Sequence, residues 1–169
     1  IARPAEVKDI DAKFAKEQIY WEAQKIDPWS GGAYPNANPF YEGTSVLAGV
    51  KVAKRLGWID EYRWAFGLED LILGVGHNGP ALIGVAWHYG MFRPDSRNYI
   101  HVTGEVAGGH CVLVNAVNVK EERFTIHNSW GANWGKNGEC YISFDDMGKL
   151  LGNYGEACFF LHRHNNAQP

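Results

Sequence analysis

A formal net charge of −3 over 169 residues, from 16 basic and 19 acidic side chains without long runs, leaves no basic stripe of the kind nucleic-acid binding needs. No apolar stretch approaches the ~18 residues of a membrane-spanning helix. With 46% apolar and 14% aromatic side chains the make-up is that of one globular domain with a substantial core, and the seven Trp serve packing or a cleft wall. The chain opens Ile1-Ala2-Arg3-Pro4 without a Met, so an upstream segment is expected, together with any address it carried.

Residues 9–26 (DIDAKFAKEQIYWEAQKI) hold no Gly or Pro and predict a helix. Ile10, Phe14, Ala15, Tyr20, Trp21 and Ala23 spread around it, which implies burial on more than one side. Residues 28–41 hold three Pro, two Gly and two Asn, which is loop chemistry. After Gly43, Thr44 or Ser45 can cap a second helix through VLAGVKVAKRL, with Gly57 at its exit. A shorter helix is predicted near 68–75.

Beyond Asn78-Gly79-Pro80 the pattern turns to strands. ALIGVAW (81–87) and CVLVNAV (111–117) are continuous apolar runs, RFTIHNSW (123–130) alternates, and CYISF (140–144) and ACFFLHR (157–163) complete five predicted strands. A short helix over 145–151 separates the last two. Helices followed by strands indicate an α+β fold. The three cysteines, Cys111, Cys140 and Cys158, are too few for a disulfide scaffold and default to buried thiols, with a Cys140–Cys158 bridge between neighbouring strands left open.

The densest chemical signal is GGHCVLV (108–114) followed by HNSWGANWG (127–135). A His entering an apolar strand is by itself more often structural than catalytic. Asn128, at the end of the next strand, changes that balance, because its amide can accept an imidazole N–H and fix the tautomer. Thiol peptidases need that pair: a His to hold the proton and a third group to orient it. Trp130 and Trp134 can shield the pair from water or simply pack.

GGHCVLV and HNSWGANWG resemble the His block and the Asn-Ser-Trp-Gly block of papain-like, C1-type cysteine peptidases. NGPALIGVAWHYGMF (78–92) is similar to the Gly-Pro-led strand before the histidine in that family. YEGTSVLAGVKVAKRLGW (41–58) is similar to the Gly-Thr-Ser helix of its bacterial and phage-encoded members. By this resemblance His110 is the catalytic histidine, Asn128 the residue that orients it and Trp130 the shielding indole, with Gly109 and Ser129 supporting the site. The implied fold is a single papain-like domain over 1–169. Residues 1–77 form a mainly helical lobe, and 78–169 form a mainly antiparallel β-sheet or barrel lobe with the His/Asn site.

The family's nucleophile, a Cys in Gly-x-Cys at the start of a central helix just after an oxyanion-hole Gln, has no match here. The resemblance places both, and that helix, N-terminal to Ile1. Among residues present, Cys111 adjoins His110 on a strand and points to the opposite face. Cys140 and Cys158 lie in apolar strands that keep a thiol protonated. Ser45 imitates the nucleophile's context, but capping accounts for it. An Asn rather than an Asp beside the His argues against transglutaminase-like acyl transfer.

Two functions are therefore expected to compete. One is a cysteine peptidase acting on a peptide or protein substrate, whose thiol comes from the missing N-terminal segment or a companion chain. The other is an inactive papain-like binding or structural module, such as a phage particle component. No cofactor and no metal are expected: His162 and His164 share a strand face but lack a third ligand. No nucleic-acid or membrane partner is expected either.

Overall fold

Ser45 determines where the first long helix begins. In the computed structural model, which describes residues 10–161, its hydroxyl oxygen accepts the N–H of Ala48 at 3.1 Å and caps helix α3, Val46–Arg55. Thr44, the other cap predicted, instead donates its hydroxyl to Asp27 at 2.9 Å. Leu56 ends the helix and Gly57, at φ +78°, turns the chain away as its place in the sequence predicts.

The chain divides into two compact units, one running to Tyr62 and taking up the chain again at Phe160, the other Arg63–Phe159. In the first, the predicted 9–26 helix is three successive pieces: α1 (Ala12–Phe14), a π-helical stretch (Ala15–Tyr20) and α2 (Trp21–Gln24). Only Ala23 and Gln24 of these are buried, so the expected burial on several sides is corrected. The reason is that the run buries side chains only at its end, where Ala23 meets Ala48 and Val52 with Ile19 and Leu56 alongside. Phe14 near its start makes a ring contact with Trp58 at 5.9 Å without being buried.

Gln24 also holds the 28–43 loop. Its Oε1 accepts the N–H of Ala33 at 2.8 Å, and its Nε2 lies within hydrogen-bonding distance of the carbonyls of Tyr41 and Gly43. Tyr41 donates its hydroxyl to Asp27 at 2.9 Å, and burial, reinforced by that carboxylate, pushes the phenol up to about 12.

The second unit is organised by an antiparallel sheet in the order β1-β6-β2-β3-β4-β5. Strand β2 (Ala81–His88) buries Ala81, Ile83, Val85 and Trp87 in strict alternation, so one face enters the core although the sequence reads as a continuous apolar run. Strand β3 (Val106–Asn118) starts five residues before the prediction, which puts His110 inside a strand rather than at its entrance. Strand β4 (Arg123–His127) stops three residues short of Trp130, because the chain closes a loop there: the N–H of Asn128 donates to Gly138 at 2.9 Å. Gly131, Gly135, Asn137 and Gly138 turn that loop with positive φ.

Strand β5 is Glu139–Ser143, and Ser143 caps helix α5 (Phe144–Gly152) through the N–H of Asp146 at 3.1 Å. Strand β6 (Glu156–Leu161) follows, while β1 (Glu61–Ala65) is a strand that the sequence pattern does not announce. The segment before β3 covers β5: the N–H of Ile100 donates to the carbonyl of Tyr141, and the N–H of Tyr141 to that of Asn98. Helix α4 (Leu68–Asn78) runs past its predicted end and packs Gly74 on Phe159, so closely that a Cβ at 74 would stand 2.1 Å from the ring. Leu71, Ile83, Trp87, Phe124, Ile126, Ile142 and Met147 form the centre of the core.

All three cysteines are free. Cys140 on β5 and Cys158 on β6 are separated by three strands, so their distance is four inter-strand spacings of about 4.8 Å, beyond any disulfide. The neighbouring-strand arrangement is thus corrected. Cys111, expected to be buried, is exposed.

Candidate active site

Strand pairing brings His110 and Asn128 together. His110 stands opposite Val85 on β2, and Trp87 opposite Gly108, so His110 and Trp87 are diagonal neighbours on one face. The two rings meet edge to face with centroids 4.7 Å apart. On the other side Val114 pairs with Ile126 and Leu113 with His127. Continuing by one residue sets Asn128 across from Val112, diagonal to His110.

The Nε2 of His110 lies 3.0 Å from Oδ1 of Asn128, and the same oxygen accepts the backbone N–H of Ser129 at 2.8 Å. The second bond decides the chemistry of the first. A backbone N–H only donates, so the atom it meets is the carbonyl oxygen, and the imidazole must present Nε2–H to it. Nδ1 is then the basic nitrogen, and it has no hydrogen-bond partner among the described residues. Asn128 is 3% exposed, and its Nδ2 is buried without a partner.

Two indoles, Trp87 and Trp130, contact His110, and Trp134 and Phe92 pack behind them. Trp130 lies 4.8 Å from His110 at 31°, edge-on to Trp87 at 5.5 Å and to Trp134 at 5.7 Å, and stacked on Phe92 at 5.4 Å and 16°. Trp134 is tied down by its indole N–H, which donates to the carbonyl of Phe92 at 2.8 Å. The predicted shield, Trp130, is therefore in contact with His110. Ser129 acts through its backbone. A side chain at Gly109 would meet nothing within 4 Å, so nothing in its surroundings demands a glycine. Trp87 and Phe92 were missed as site residues, and the only available signal was their place in GVAWHYGMF, just before the histidine strand.

None of the chain's thiols serves His110. Cys111 is exposed while Val112 and Val114 are buried, so it faces away from the imidazole side. Desolvation, with the charge of Glu156 second, nevertheless pushes its thiol up to about 11. Burial pushes Cys140 up to about 12 and Cys158 to about 11, with Glu139 and Glu156 adding to the effect. Ser45 has its oxygen engaged as a cap.

Beside the aromatic group, Asp95 accepts the N–H groups of Tyr99 and Arg97 at 2.9 and 2.8 Å, and lies 3.1 Å from Nε2 of His101. The Tyr99 bond, then His101, lowers its carboxyl to about 2. Among the described residues no group of three or more His, Cys, Asp or Glu could hold a metal ion, and no helix is long and apolar enough to cross a membrane. His162 and His164 lie outside the described residues.

No protein-family model matches the sequence, and no curated protein matches it. Solved structures do. Xylellain, a cysteine protease from Xylella fastidiosa, superposes with a TM-score of 0.65 at 17% identity over 86% of this chain and 68% of its own. Digestive procathepsin L 3 of the Tenebrio molitor larval midgut gives 0.48 at 20% identity, over 60% of this chain and 35% of that one. The bromelain protease of Ananas comosus gives 0.46 at 14%, over 62% and 51%. Of these three, xylellain alone superposes well enough to carry an argument, and it speaks for architecture alone. The chain has the α+β fold of a papain-like cysteine protease, with mixed helices and a six-stranded antiparallel sheet.

Proposed function

We propose that this chain carries the acid–base half of a papain-like cysteine peptidase site, and that the attacking thiol comes from an upstream segment or a companion chain. The observation behind this reading is the 3.0 Å bond from His110 to Asn128, with its tautomer set by Ser129. In this reading residues 1–77 are the mainly helical lobe and 78–169 the mainly β lobe of one domain, and the partner is a peptide or protein substrate.

The reaction follows from the free nitrogen. Nδ1 of His110 takes the thiol proton as sulfur attacks the peptide carbonyl. The C–N bond breaks, Nδ1 returns the proton to the leaving amine, and the acyl group remains on sulfur as a thioester. Water then attacks, giving a proton to Nδ1 that goes back to the departing thiolate, and the acid is released. Asn128 keeps the ring oriented while it is charged, and Trp130 keeps water from the bond.

The chain's own thiols favour a second reading, a papain-like module that binds a protein partner without catalysis, as in a phage particle. All three are held protonated, near 11 or 12, and Cys111 faces away from His110. The two readings separate on the intact natural polypeptide treated with iodoacetamide at pH 7 during hydrolysis of a fluorogenic peptide. The peptidase reading expects rapid alkylation of one cysteine outside this chain, loss of hydrolysis, and loss of both in His110→Ala. No hydrolysis and no rapidly alkylated thiol decides for the module.

A further inference from the structure

Trp130, which contacts His110, also lines an open cleft of about 540 Å³ within the same unit. Phe92 and Trp134 supply further aromatic wall, and two charged residues, Arg93 and Asp95, line it as well. Those charges differ in what they are free to do. Asp95 is committed: its oxygens take the N–H groups of Tyr99 and Arg97 and face His101, and the Arg97 guanidinium is 3.8 Å away. The N–H of Tyr99 and then His101 hold its carboxyl down to about 2. Arg93 is exposed and has no acceptor among the described residues, and the amide of Asn133, also on the wall, has no partner there either.

A cleft whose acid is engaged by donors of its own turn and whose guanidinium is unspent favours an anion at the guanidinium, and flat aromatic faces beside it suit a short peptide rather than a bare ion. We propose that the cleft binds a carboxylate of the substrate through Arg93, with the adjoining peptide lying on Trp130 and Phe92. This deepens the peptidase reading and rests on it for the word substrate. The carboxylate belongs to an acidic side chain or to a peptide C-terminus.

The test uses the intact polypeptide, isotopically labelled, with the indole N–H signals of Trp130 and Trp134 followed by NMR. Three probes are titrated: acetyl-Ala-Ala-Glu-amide, acetyl-Ala-Ala-Ala with a free C-terminus, and neutral acetyl-Ala-Ala-Gln-amide. At least one acidic peptide is expected to bind about fivefold tighter than the neutral one, the advantage of one exposed charge pair. Arg93→Gln should abolish that advantage and Arg93→Lys keep part of it. Which acidic peptide wins identifies the source of the carboxylate. Equal binding of all three, no shift of either indole, or an advantage that survives Arg93→Gln overturns the proposal. Cleavage is read separately in the same samples, so that Arg93-dependent binding without hydrolysis rejects the peptidase reading and keeps the cleft. Hydrolysis without Arg93 dependence does the reverse.

Discussion

The backbone N–H of Ser129 donates to Oδ1 of Asn128 at 2.8 Å, a bond between neighbours that orients a buried amide toward a histidine on another strand. The amide is thus held by a bond within its own loop as well as by the contact to the other strand. Asn128→Ala removes the acceptor of two donors at a buried position, so a loss of about 1–3 kcal/mol is expected in denaturant unfolding. Hydrolysis by the intact protein should fall by more than stability explains. An equal effect on the two would mean that Asn128 only packs.

Gly74 on α4 packs directly against Phe159, whose ring stands where a Cβ would be. Gly74→Ala should therefore destabilise by about 1–3 kcal/mol despite the better helix propensity of Ala. Adding Phe159→Leu should recover part of it. A Gly74→Ala protein as stable as the wild type in thermal unfolding would show that the ring yields freely.

Asp95 links acid stability to the 95–101 turn. Its folded value is lowered to about 2, so the stabilisation is present above the unfolded value near 3.9 and is lost as pH falls toward 2. Asp95→Asn should melt below the wild type at pH 7, with the gap closing between pH 4 and 2. A gap that stays constant over that range would show that the carboxylate's charge is irrelevant.

Alkylation should rank the three cysteines. Cys111 is exposed but protonated at neutral pH, so slow modification at pH 7 should accelerate toward pH 10, while buried Cys140 and Cys158 wait for unfolding. Peptide mapping by mass spectrometry reads this directly. Fast modification of Cys140 in the folded protein would contradict its burial.

The sequence made the histidine–asparagine pair legible because both lie in dense local motifs. It made α3 legible because a capping hydroxyl stands before apolar residues at helical spacing, and α5 because it breaks two apolar strands. What it hid was non-local. Trp87 reads as the last residue of an apolar strand, and only the pairing of Val85 with His110 makes it a neighbour of the imidazole. Strand β1, EYRWA, has no buried residue to mark one face, so alternation gives it no signal. The start of β3 is exposed and holds two glycines, which reads as loop until β2 is laid beside it. The first helix misled for the opposite reason: it is rich in apolar residues but buries side chains at one end only.

Strand β5 is the last in its sheet, yet the segment carrying Asn98 and Ile100 already takes the outward groups of Tyr141. A strand from another molecule finds no free pair of backbone groups to extend from at Tyr141. The same turn begins at Asp95 and forms part of the wall of the cleft. One short piece of chain thus both walls the cleft and covers a strand edge, so substitutions that reshape the cleft by loosening residues 95–100 are expected to bare that edge as well, read as increased aggregation.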